Sequence, residues 1–329
     1  MPPASPLPTP PPSTLLMSSN KPLLLIKNSV DPEGLAQIGA HFEIINAPTP
    51  ERFEQAIIEA GHRAEVVLTN GATGLSAAQI DALPRLKLIC SMGVGHENIA
   101  LAHAKARGIA VTNGAGTNDS CVADHAMGLI LAIVRGIPRL DRLTREGVWR
   151  SQLTLPPNVS GKQVDILGLG AIGEKIAQRA QGFDMPIGYH NRRPRPDSTR
   201  RYFDSLEALA DWADILVVAI PGGADSHHRV NANILERLGP AGYLINIARG
   251  SVVDTAALEQ ALRLGRLAGA GLDVYEGEPK LPSGLADLEN IVLTPHVAGW
   301  SPEAVQRTID KFLENARRFY AGEPLLTPI

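Results

Sequence analysis

Short apolar runs of strand length alternate with amphipathic stretches of helix length along almost the whole chain from residue 21 onwards. A first block ends near residue 112 and contains runs such as PLLLIK (22–27) and AEVVLTNG (64–71). A second block begins at Lys162 and continues to NIVLTP (290–295). Alternation of this kind predicts βαβ units and therefore a parallel sheet in each block.

Two further segments have a helical pattern without a strand beside them. Residues 120–147 are mostly apolar, and we predict one long helix or a bent pair there, because Pro138 should bend or break a helix. Residues 301–323 predict one amphipathic helix, with Pro302 at its first position. No strand is expected after that helix.

The first twenty residues differ in composition from the rest, since seven of the first twelve are prolines. Such a stretch forms neither a helix nor a central strand, so we predict a disordered Pro-rich tail over residues 1–20. The folded pattern begins only at Lys21, which leaves open whether Met1 or Met17 is the true start.

Composition narrows the class of protein. Hydrophobic residues make up 44% and charged residues 20% of the 329, and the net charge of -3 argues against a nucleic-acid-binding protein. No apolar run approaches the ~20 residues of a membrane helix. The two cysteines, Cys90 and Cys121, have no zinc-ligand spacing, and we expect no metal site. We therefore expect a cytoplasmic protein that acts on a small molecule.

A glycine-rich turn follows the predicted strand VDIL (164–167) and opens a predicted helix. Its sequence, GLGAIG, has the spacing of a dinucleotide phosphate loop, in which the glycines permit a tight turn, approach of the pyrophosphate and close helix packing. The helix amides would then face the anion. We assign to this site Gly168, Gly170, Ala171, Ile172 and Gly173.

The end of the next strand indicates which dinucleotide binds. An acid that would hold the ribose 2′-hydroxyl is missing there, and no carboxylate occurs before Asp197. The chain instead reads Asn191, Arg192, Arg193, and arginines suit a 2′-phosphate. We predict NADPH as the preferred cofactor, with NADH possible and Arg192 the best single contact. The alternative is that these arginines form a solvated face.

Three motifs carry candidate chemistry, each at the carboxyl end of a predicted strand, where open α/β sheets bind ligands. They are LINIARGSVVD (244–254), GAGLDVYEGEP (269–279) and LTPH (293–296). Arg249, a glutamate and His296 could therefore converge. The residues alone do not choose between Glu276 and Glu278.

Together with SMGVGHENI (91–99) and PGGADSHHRVN (221–231), these motifs occur in an order that resembles the D-isomer-specific 2-hydroxyacid dehydrogenase family. The resemblance covers essentially all of residues 21–329. The arginines in place of an acid look most like the glyoxylate/hydroxypyruvate reductase branch.

The resemblance implies an α/β fold with two doubly wound parallel-sheet domains. A flavodoxin-like substrate domain would comprise residues 21–112 and 297–329, and a Rossmann dinucleotide-binding domain residues 113–296. The active site would lie in the cleft between them, and residues 120–147 would build a homodimer interface.

The resemblance also implies roles for individual residues. His296 would donate the proton and Arg249 would bind the substrate carboxylate, while the position before Pro279 selects Glu278 as the partner of the histidine. The amides of Val94 and Gly95 would hold the same carboxylate, and Trp300, where relatives have small residues, could line the substrate pocket. Cofactor contacts would come from Pro221 and from Asp273, which in relatives meets the nicotinamide carboxamide.

The expected reaction is hydride transfer from NADPH to a small 2-keto acid, such as glyoxylate or hydroxypyruvate, giving the D-2-hydroxy acid. Two alternatives stay open: a phosphite- or formate-type dehydrogenase, and a dinucleotide-binding protein that acts as a corepressor-like interaction module. The sequence does not specify the preferred acid, the direction or the pathway. One residue departs from the family pattern inside a strand, since Asp165 stands where glycine is usual.

Overall fold

The computed structural model describes residues 21–329, and the tail predicted over 1–20 lies outside the described residues. The described chain divides into two compact units, residues 21–114 with Thr308–Ile329, and Ala115–Arg307. Each unit contains one parallel sheet, of five strands in the first and seven in the second. The predicted α/β class with two parallel sheets is therefore confirmed.

The sheet of the first unit has the strand order β2-β1-β3-β4-β5, the doubly wound order of flavodoxin-like folds. Its strands are β1 (Leu23–Ile26), β2 (Glu43–Asn46), β3 (Ala64–Thr69), β4 (Leu88–Ser91) and β5 (Ala110–Thr112). The helices between them are α1 (Pro32–Gly39), α2 (Pro50–Ala60), α3 (Ala77–Asp81) and α4 (Leu101–Ala106).

The sheet of the second unit has the order β12-β11-β10-β9-β6-β7-β8, so the order in which successive strands are added reverses between β6 and β9. Its strands are β6 (Val164–Leu167), β7 (Ile187–His190), β8 (Arg201–Tyr202), β9 (Ile215–Val218), β10 (Tyr243–Asn246), β11 (Gly269–Leu272) and β12 (Ile291–Leu293). Its helices are α5 (Asp119–Val134), α6 (Ile137–Arg145), α7 (Ala171–Gln181), α8 (Leu206–Trp212), α9 (Ala232–Leu238) and α10 (Thr255–Arg263), and α11 (Pro302–Ala321) begins there.

Apart from Asp165 in β6 and Asn246 at the end of β10, the central strands have no polar side chains, as expected for a sheet covered on both faces. Every residue of β6, β9, β10 and β11 is buried, which explains why these strands read as continuous apolar runs. The edge strand β8 has only two residues and was not predicted, since a pair is too short to show a pattern.

Helix ends follow the local sequence rules. The side chain of Ser205 accepts a hydrogen bond from the Ala208 amide at 3.1 Å, and Asp254 accepts one from the Ala257 amide at 3.0 Å. Both residues are N-caps of a type that helix starts favour.

The apolar segment 120–147 forms the bent pair. Helices α5 and α6 meet at 56°, across Gly136 at φ +63°, and Pro138 lies in the first turn of α6. Among residues 21–329 no single helix is long and apolar enough to cross a membrane, and this bent pair passes that test only jointly, by length and composition.

The division of the chain differs from the sequence-based boundaries at one end. The first boundary between the two units, at Gly114, lies close to the expected residue 112. Residues 297–307, which were expected in the first unit, group with the second. The reason is a set of contacts in this segment, including the Ala298 amide to Asp273 and the Arg307 side chain to the Thr117 carbonyl.

Candidate active site

The glycine-rich turn connects β6 to α7 at the reversal of strand order, where doubly wound sheets bind ligands. Gly168 has φ +105°, and a Cβ there would lie 2.8 Å from the Ala219 carbonyl oxygen. A Cβ on Gly173 would lie 2.3 Å from the Gly168 carbonyl oxygen. The first and third glycines are thus required by the fold of the loop itself.

Gly170 differs from both neighbours. A Cβ built on it meets no atom within 4 Å, so no packing within the protein requires glycine there. It is the N-cap of α7 and gives that helix no side-chain hydrogen bond, which leaves amides such as those of Ala171 and Ile172 facing outward. Open space beside uncapped helix amides fits a pyrophosphate.

The strand beside the loop supplies the next contacts. The side-chain oxygen of Asn191 accepts a hydrogen bond from the Leu169 amide at 2.7 Å, which joins the end of β7 to the glycine loop. Arg192 and Arg193 are exposed, and neither makes an ion pair within residues 21–329. Both guanidinium groups are therefore available to an anion.

The other arginines of this segment form ion pairs or contact aromatic rings. Arg195 pairs with Asp197, and Arg200 pairs with Glu174 at 2.8 Å. Arg201 lies over the rings of Phe203 and Trp212. Of the five arginines between 192 and 201, only Arg192 and Arg193 thus lack such partners within the described chain.

A histidine and a glutamate form the chemical centre of the second unit. The Nδ1 atom of His296 lies 2.7 Å from Oε2 of Glu278, and Oε1 of Glu278 accepts the Tyr275 amide at 2.7 Å. The carboxylate is held on both oxygens and in turn fixes the imidazole ring. Nε2 of His296 is left outside the pair, and the side chain is 42% exposed.

The backbone around His296 is unusual. His296 has φ +55°, a conformation that costs a non-glycine residue roughly 1–2 kcal/mol. Its amide donates to the carbonyl of Asp273 at 2.8 Å, and the Asp273 carboxylate accepts the Val297 and Ala298 amides, each at 2.9 Å. These bonds from one buried aspartate hold the strained turn in place.

The Asp273 carboxylate also accepts a hydrogen bond from the Thr294 hydroxyl at 2.6 Å, and that hydroxyl lies 2.9 Å from Nε2 of His125. The expected contact of Asp273 with the nicotinamide carboxamide stays a prediction. Neither His125 nor Thr294 was selected from the sequence, and only the tertiary structure shows that both support the His296 turn.

The pair changes the acidity of both members. The hydrogen bond to Glu278 raises the pKa of His296 above its usual value, more than burial and the Arg249 charge lower it. Burial raises the pKa of Glu278, but hydrogen bonds from His296 and the Tyr275 amide, with the His296 and Arg249 charges, bring it below its usual value. A protonated histidine beside an ionised carboxylate is the favoured state.

Arg249 follows β10 and is half-buried. Its Nη1 donates to the Ala248 carbonyl at 2.7 Å, and its charge acts on both His296 and Glu278. The next residue, Gly250, packs so closely on the segment after β11 that a Cβ would lie 1.9 Å from the Tyr275 carbonyl carbon. This close approach brings the arginine loop next to the segment that carries the glutamate.

The two neighbouring glutamates have different partners. Glu278 contacts His296, whereas Oε1 of Glu276 lies 2.8 Å from Nε2 of His228. The choice that the residues alone left open between them is thus answered in geometry, while the catalytic role of Glu278 stays a prediction.

Other predicted residues lie apart from this pair. Val94 and Gly95 belong to the first unit, in the loop after β4, where their amides have no hydrogen-bond acceptor within residues 21–329. Pro221 is exposed after β9. Trp300 is 74% exposed and lines an open pocket of about 450 Å³ with residues that include His125 and Arg307. The expected contacts of these residues with ligands remain predictions.

Comparison with known proteins gives the family. Residues 127–298 match the model of the D-isomer specific 2-hydroxyacid dehydrogenase, NAD binding domain. The chain is similar to a hydroxyphenylpyruvate reductase of Plectranthus scutellarioides, with 43% identity over 80% of this chain and 84% of the relative. It is also similar to a glyoxylate/hydroxypyruvate reductase A of Arabidopsis thaliana, with 41% identity over 84% and 89%.

A solved structure gives the same result. The NADPH-dependent glyoxylate/hydroxypyruvate reductase of Sinorhizobium meliloti, in complex with NADP and malonate, superposes with a TM-score of 0.87 and 36% identity, over 94% of this chain and 97% of that one. The chain therefore belongs to the D-isomer-specific 2-hydroxyacid dehydrogenase family, in its glyoxylate/hydroxypyruvate reductase branch.

Proposed function

We propose that this chain uses NADPH to reduce glyoxylate, hydroxypyruvate or a similar small 2-keto acid to the D-2-hydroxy acid. The observation that carries the proposal is the His296 ring, held 2.7 Å from Glu278 within the influence of the Arg249 charge. Reduction of a keto acid needs a proton donor and a cation for the carboxylate, and these side chains supply both.

His296 is the proton donor in this proposal. The hydrogen bond to Glu278 raises the pKa of His296 and so favours the protonated imidazole, and Nε2 is the nitrogen left to face a substrate. When bound, the reduced nicotinamide supplies the hydride for the keto carbon. Nε2–H donates its proton to the oxygen of the same carbonyl group, and Glu278 stabilises the protonated ring beforehand.

Arg249 binds the substrate carboxylate. A guanidinium group is planar and always charged, so it matches a carboxylate with two parallel hydrogen bonds. The same charge next to the keto oxygen favours the negative charge that develops there during reduction.

The phosphate loop and the arginines after β7 fit NADPH. The open space at Gly170 and the first amides of α7 would hold the pyrophosphate. Arg192 and Arg193 are exposed without ion-pair partners in the described chain, so they would hold the 2′-phosphate. An acid for the ribose hydroxyl of NADH is missing from this position.

Activity is tested by following NADPH oxidation with glyoxylate, hydroxypyruvate, pyruvate, hydroxyphenylpyruvate and 2-ketogluconate, and repeating the panel with NADH. We expect turnover of at least one small 2-keto acid, and a loss of about a hundredfold to ten-thousandfold in His296→Ala. If no acid were turned over with either cofactor while NADPH still bound, an interaction protein would be the better assignment.

Cofactor choice is tested with Arg192→Ala and Arg193→Ala. Loss of a charge-assisted hydrogen bond costs about 1.5–3 kcal/mol, so kcat/KM for NADPH should fall roughly tenfold to hundredfold, with little change for NADH. Arg266→Ala removes an exposed arginine elsewhere in the same unit and serves as the control. An equal loss for both cofactors in the Arg192 variant would contradict the assignment.

A further inference from the structure

A second cluster of ionisable side chains lies in the same unit as the proposed catalytic centre. His227 and His228 follow a short helical turn, Ala224–Ser226, after β9, and Glu276 follows β11. Each of the three offers a ligand atom within 4.8 Å of the others. The two histidine rings stack with centroids 3.9 Å apart, and Nε2 of His228 lies 2.8 Å from Oε1 of Glu276.

The backbone of His228 lies in the left-handed region, which few residues other than glycine adopt. Its φ is +49°, and its amide donates to the Ser251 carbonyl at 2.9 Å. Such a conformation costs a side-chain-bearing residue roughly 1–2 kcal/mol, and it fixes the direction of the imidazole. Strain of this kind concentrates where a side chain is held for binding or catalysis.

A carboxylate also faces the other side of the ring. Oδ2 of Asp254 lies 3.9 Å from Nδ1 of His228, opposite the nitrogen that meets Glu276. An imidazole that binds a metal through one nitrogen is commonly oriented by a carboxylate near the other. Oε2 of Glu276 is held by the Thr255 amide at 3.1 Å, so the carboxylate itself is fixed.

We propose that His227, His228 and Glu276 form a binding site for one divalent transition-metal ion of the zinc type. Two imidazoles and one carboxylate are ligands that Zn²⁺ prefers, whereas Mg²⁺ and Ca²⁺ need mainly oxygen ligands. The ion would bind Nε2 of His228 and Oε1 of Glu276 in place of the hydrogen bond that joins them at 2.8 Å, and the imidazole proton would be carried on Nδ1, toward Asp254. His227 is exposed and completes the site by turning its ring toward the ion.

The site was not predicted from the sequence. Adjacent histidines do not have metal-ligand spacing, and the third ligand is 48 positions away from His228. Only the parallel sheet brings the loop after β9 beside the segment after β11. An ion there would tie together the segment that ends in Glu278 and the loop whose Ser251 follows Arg249.

The test is calorimetric titration of the full chain, without an affinity tag, with zinc chloride, and titration with Co²⁺ followed by visible absorbance. We expect one tightly bound ion per chain and a cobalt spectrum of low coordination number. His227→Ala and Glu276→Gln should each weaken zinc binding by at least about tenfold. His228→Asn removes the ring with a residue that tolerates positive φ, and circular dichroism verifies that each variant folds.

Two controls separate this site from other ways to bind zinc. His62→Ala removes an exposed histidine of the first unit, and His296→Asn removes the other histidine–glutamate pair; both should keep the tight ion. Unchanged zinc affinity in His227→Ala and Glu276→Gln would overturn the proposal. So would the absence of a tight ion in the wild-type chain, equal affinity for Mg²⁺, or loss of the ion only in His296→Asn.

Discussion

Glu276 and Glu278 have the same chemistry and stand two positions apart, yet each contacts a different histidine. From the residue types alone the two cannot be told apart, and only the family resemblance, through the position before Pro279, selected Glu278; the contacts themselves depend on where the segment after β11 turns. By contrast, the closeness of Arg249 to the pair was predicted, because parallel strands deliver their carboxyl ends to one edge of a sheet. The residue types followed from sequence, and the pairing followed from the fold.

The pH dependence of reduction tests the His296–Glu278 pair. The reaction uses protonated His296, so activity should fall as pH rises through its raised pKa. Glu278→Gln removes the main cause of that rise, so the alkaline limb should move to lower pH and kcat should fall by about a hundredfold. The measurement is kcat against pH.

Glu276→Gln is the matched control for that prediction. It makes the same chemical change two positions away, on a carboxylate that contacts His228, and the alkaline limb should stay where it is in the wild type. A limb that moved equally in both variants would show that Glu278 does not set the acidity of His296.

Asp165 is the residue that departs most clearly from the pattern of its strand. It is fully buried in β6, and neither carboxylate oxygen has a hydrogen-bond partner in the described chain. Burial raises the pKa of Asp165 to about 8, against the opposing effect of the Arg201 charge, and Asp214 raises it further. The carboxyl is therefore neutral at neutral pH in the folded protein.

This burial predicts a stability that falls with pH. Because the folded pKa lies above the unfolded value of 3.8, the folded chain holds the extra proton between those values, and stability is lost as pH rises through about 8. Asp165→Asn does not titrate, so its stability relative to wild type should increase with pH, by at most about 1.4 kcal/mol per pH unit.

The measurement is urea unfolding of both proteins between pH 5 and pH 8, a range of roughly three units below the raised pKa. Asp204→Asn removes an exposed aspartate of the same unit and should show no comparable slope. A pH-independent difference for Asp165→Asn would mean that this carboxyl is already ionised in the fold.

At the scale of elements, the glycines of the loop between β6 and α7 have two different roles, one in folding and one in ligand binding. Gly168 and Gly173 are required by backbone contacts, whereas Gly170 has conventional dihedral angles and open space beside it. The motif was recognised from sequence because its spacing is local. Which glycine serves the protein and which serves the ligand became visible only with the neighbouring atoms present.

Two alanine substitutions test this separation. Gly170→Ala should keep the midpoint of thermal unfolding of the wild type within experimental error. It should raise the KM for NADPH at least about tenfold, because the new methyl group occupies the ligand's space. Gly173→Ala should lower the midpoint, since its Cβ would lie 2.3 Å from a carbonyl oxygen. Normal NADPH affinity in Gly170→Ala would contradict the assignment of that space.

In the bent pair α5–α6, too, the sequence predicted one part of the outcome and the tertiary structure decided the other. Its apolar composition and Pro138 predicted a helix that bends, but the bend is made at Gly136 by a left-handed residue. Pro138 then lies in the first turn of the next helix, where its missing amide costs nothing. The sequence marked the break within two residues, and backbone geometry decided its form.

At the scale of the whole molecule, exposed apolar side chains indicate self-association. In the second unit Ile137, Trp149 and Leu155 are 52%, 68% and 96% exposed, all within or just after the segment 120–147 predicted to build a homodimer. Large apolar side chains that stay exposed to solvent can be covered by a second copy of the chain. We propose that this segment joins two copies of the chain.

Light scattering tests the proposed dimer. The chain mass is 35.0 kDa, and the measured particle should have twice that mass. Trp149→Asp with Leu155→Asp should shift the protein toward the monomer, because a buried unpaired charge opposes association. Leu264→Asp, at a residue 56% exposed elsewhere in the unit, is the matched control. A monomeric wild-type protein at micromolar concentration would refute the proposal.

The amino-acid sequence by itself determined the α/β class, the phosphate loop and the three motif-bearing strand ends. Each of these is encoded by residues close together along the chain: the periodicity of apolar residues, the spacing of the turn glycines and the alternation of strands with helices. Only the tertiary structure decided the geometry of the His296–Glu278 contact, the absence of ion-pair partners for Arg192 and Arg193 in the described chain, and the grouping of residues 297–307 with the second unit. It also decided the isolation of Asp165 and the meeting of His228 with Glu276. These are pairings between distant residues, and their distances are fixed by how strands and loops pack.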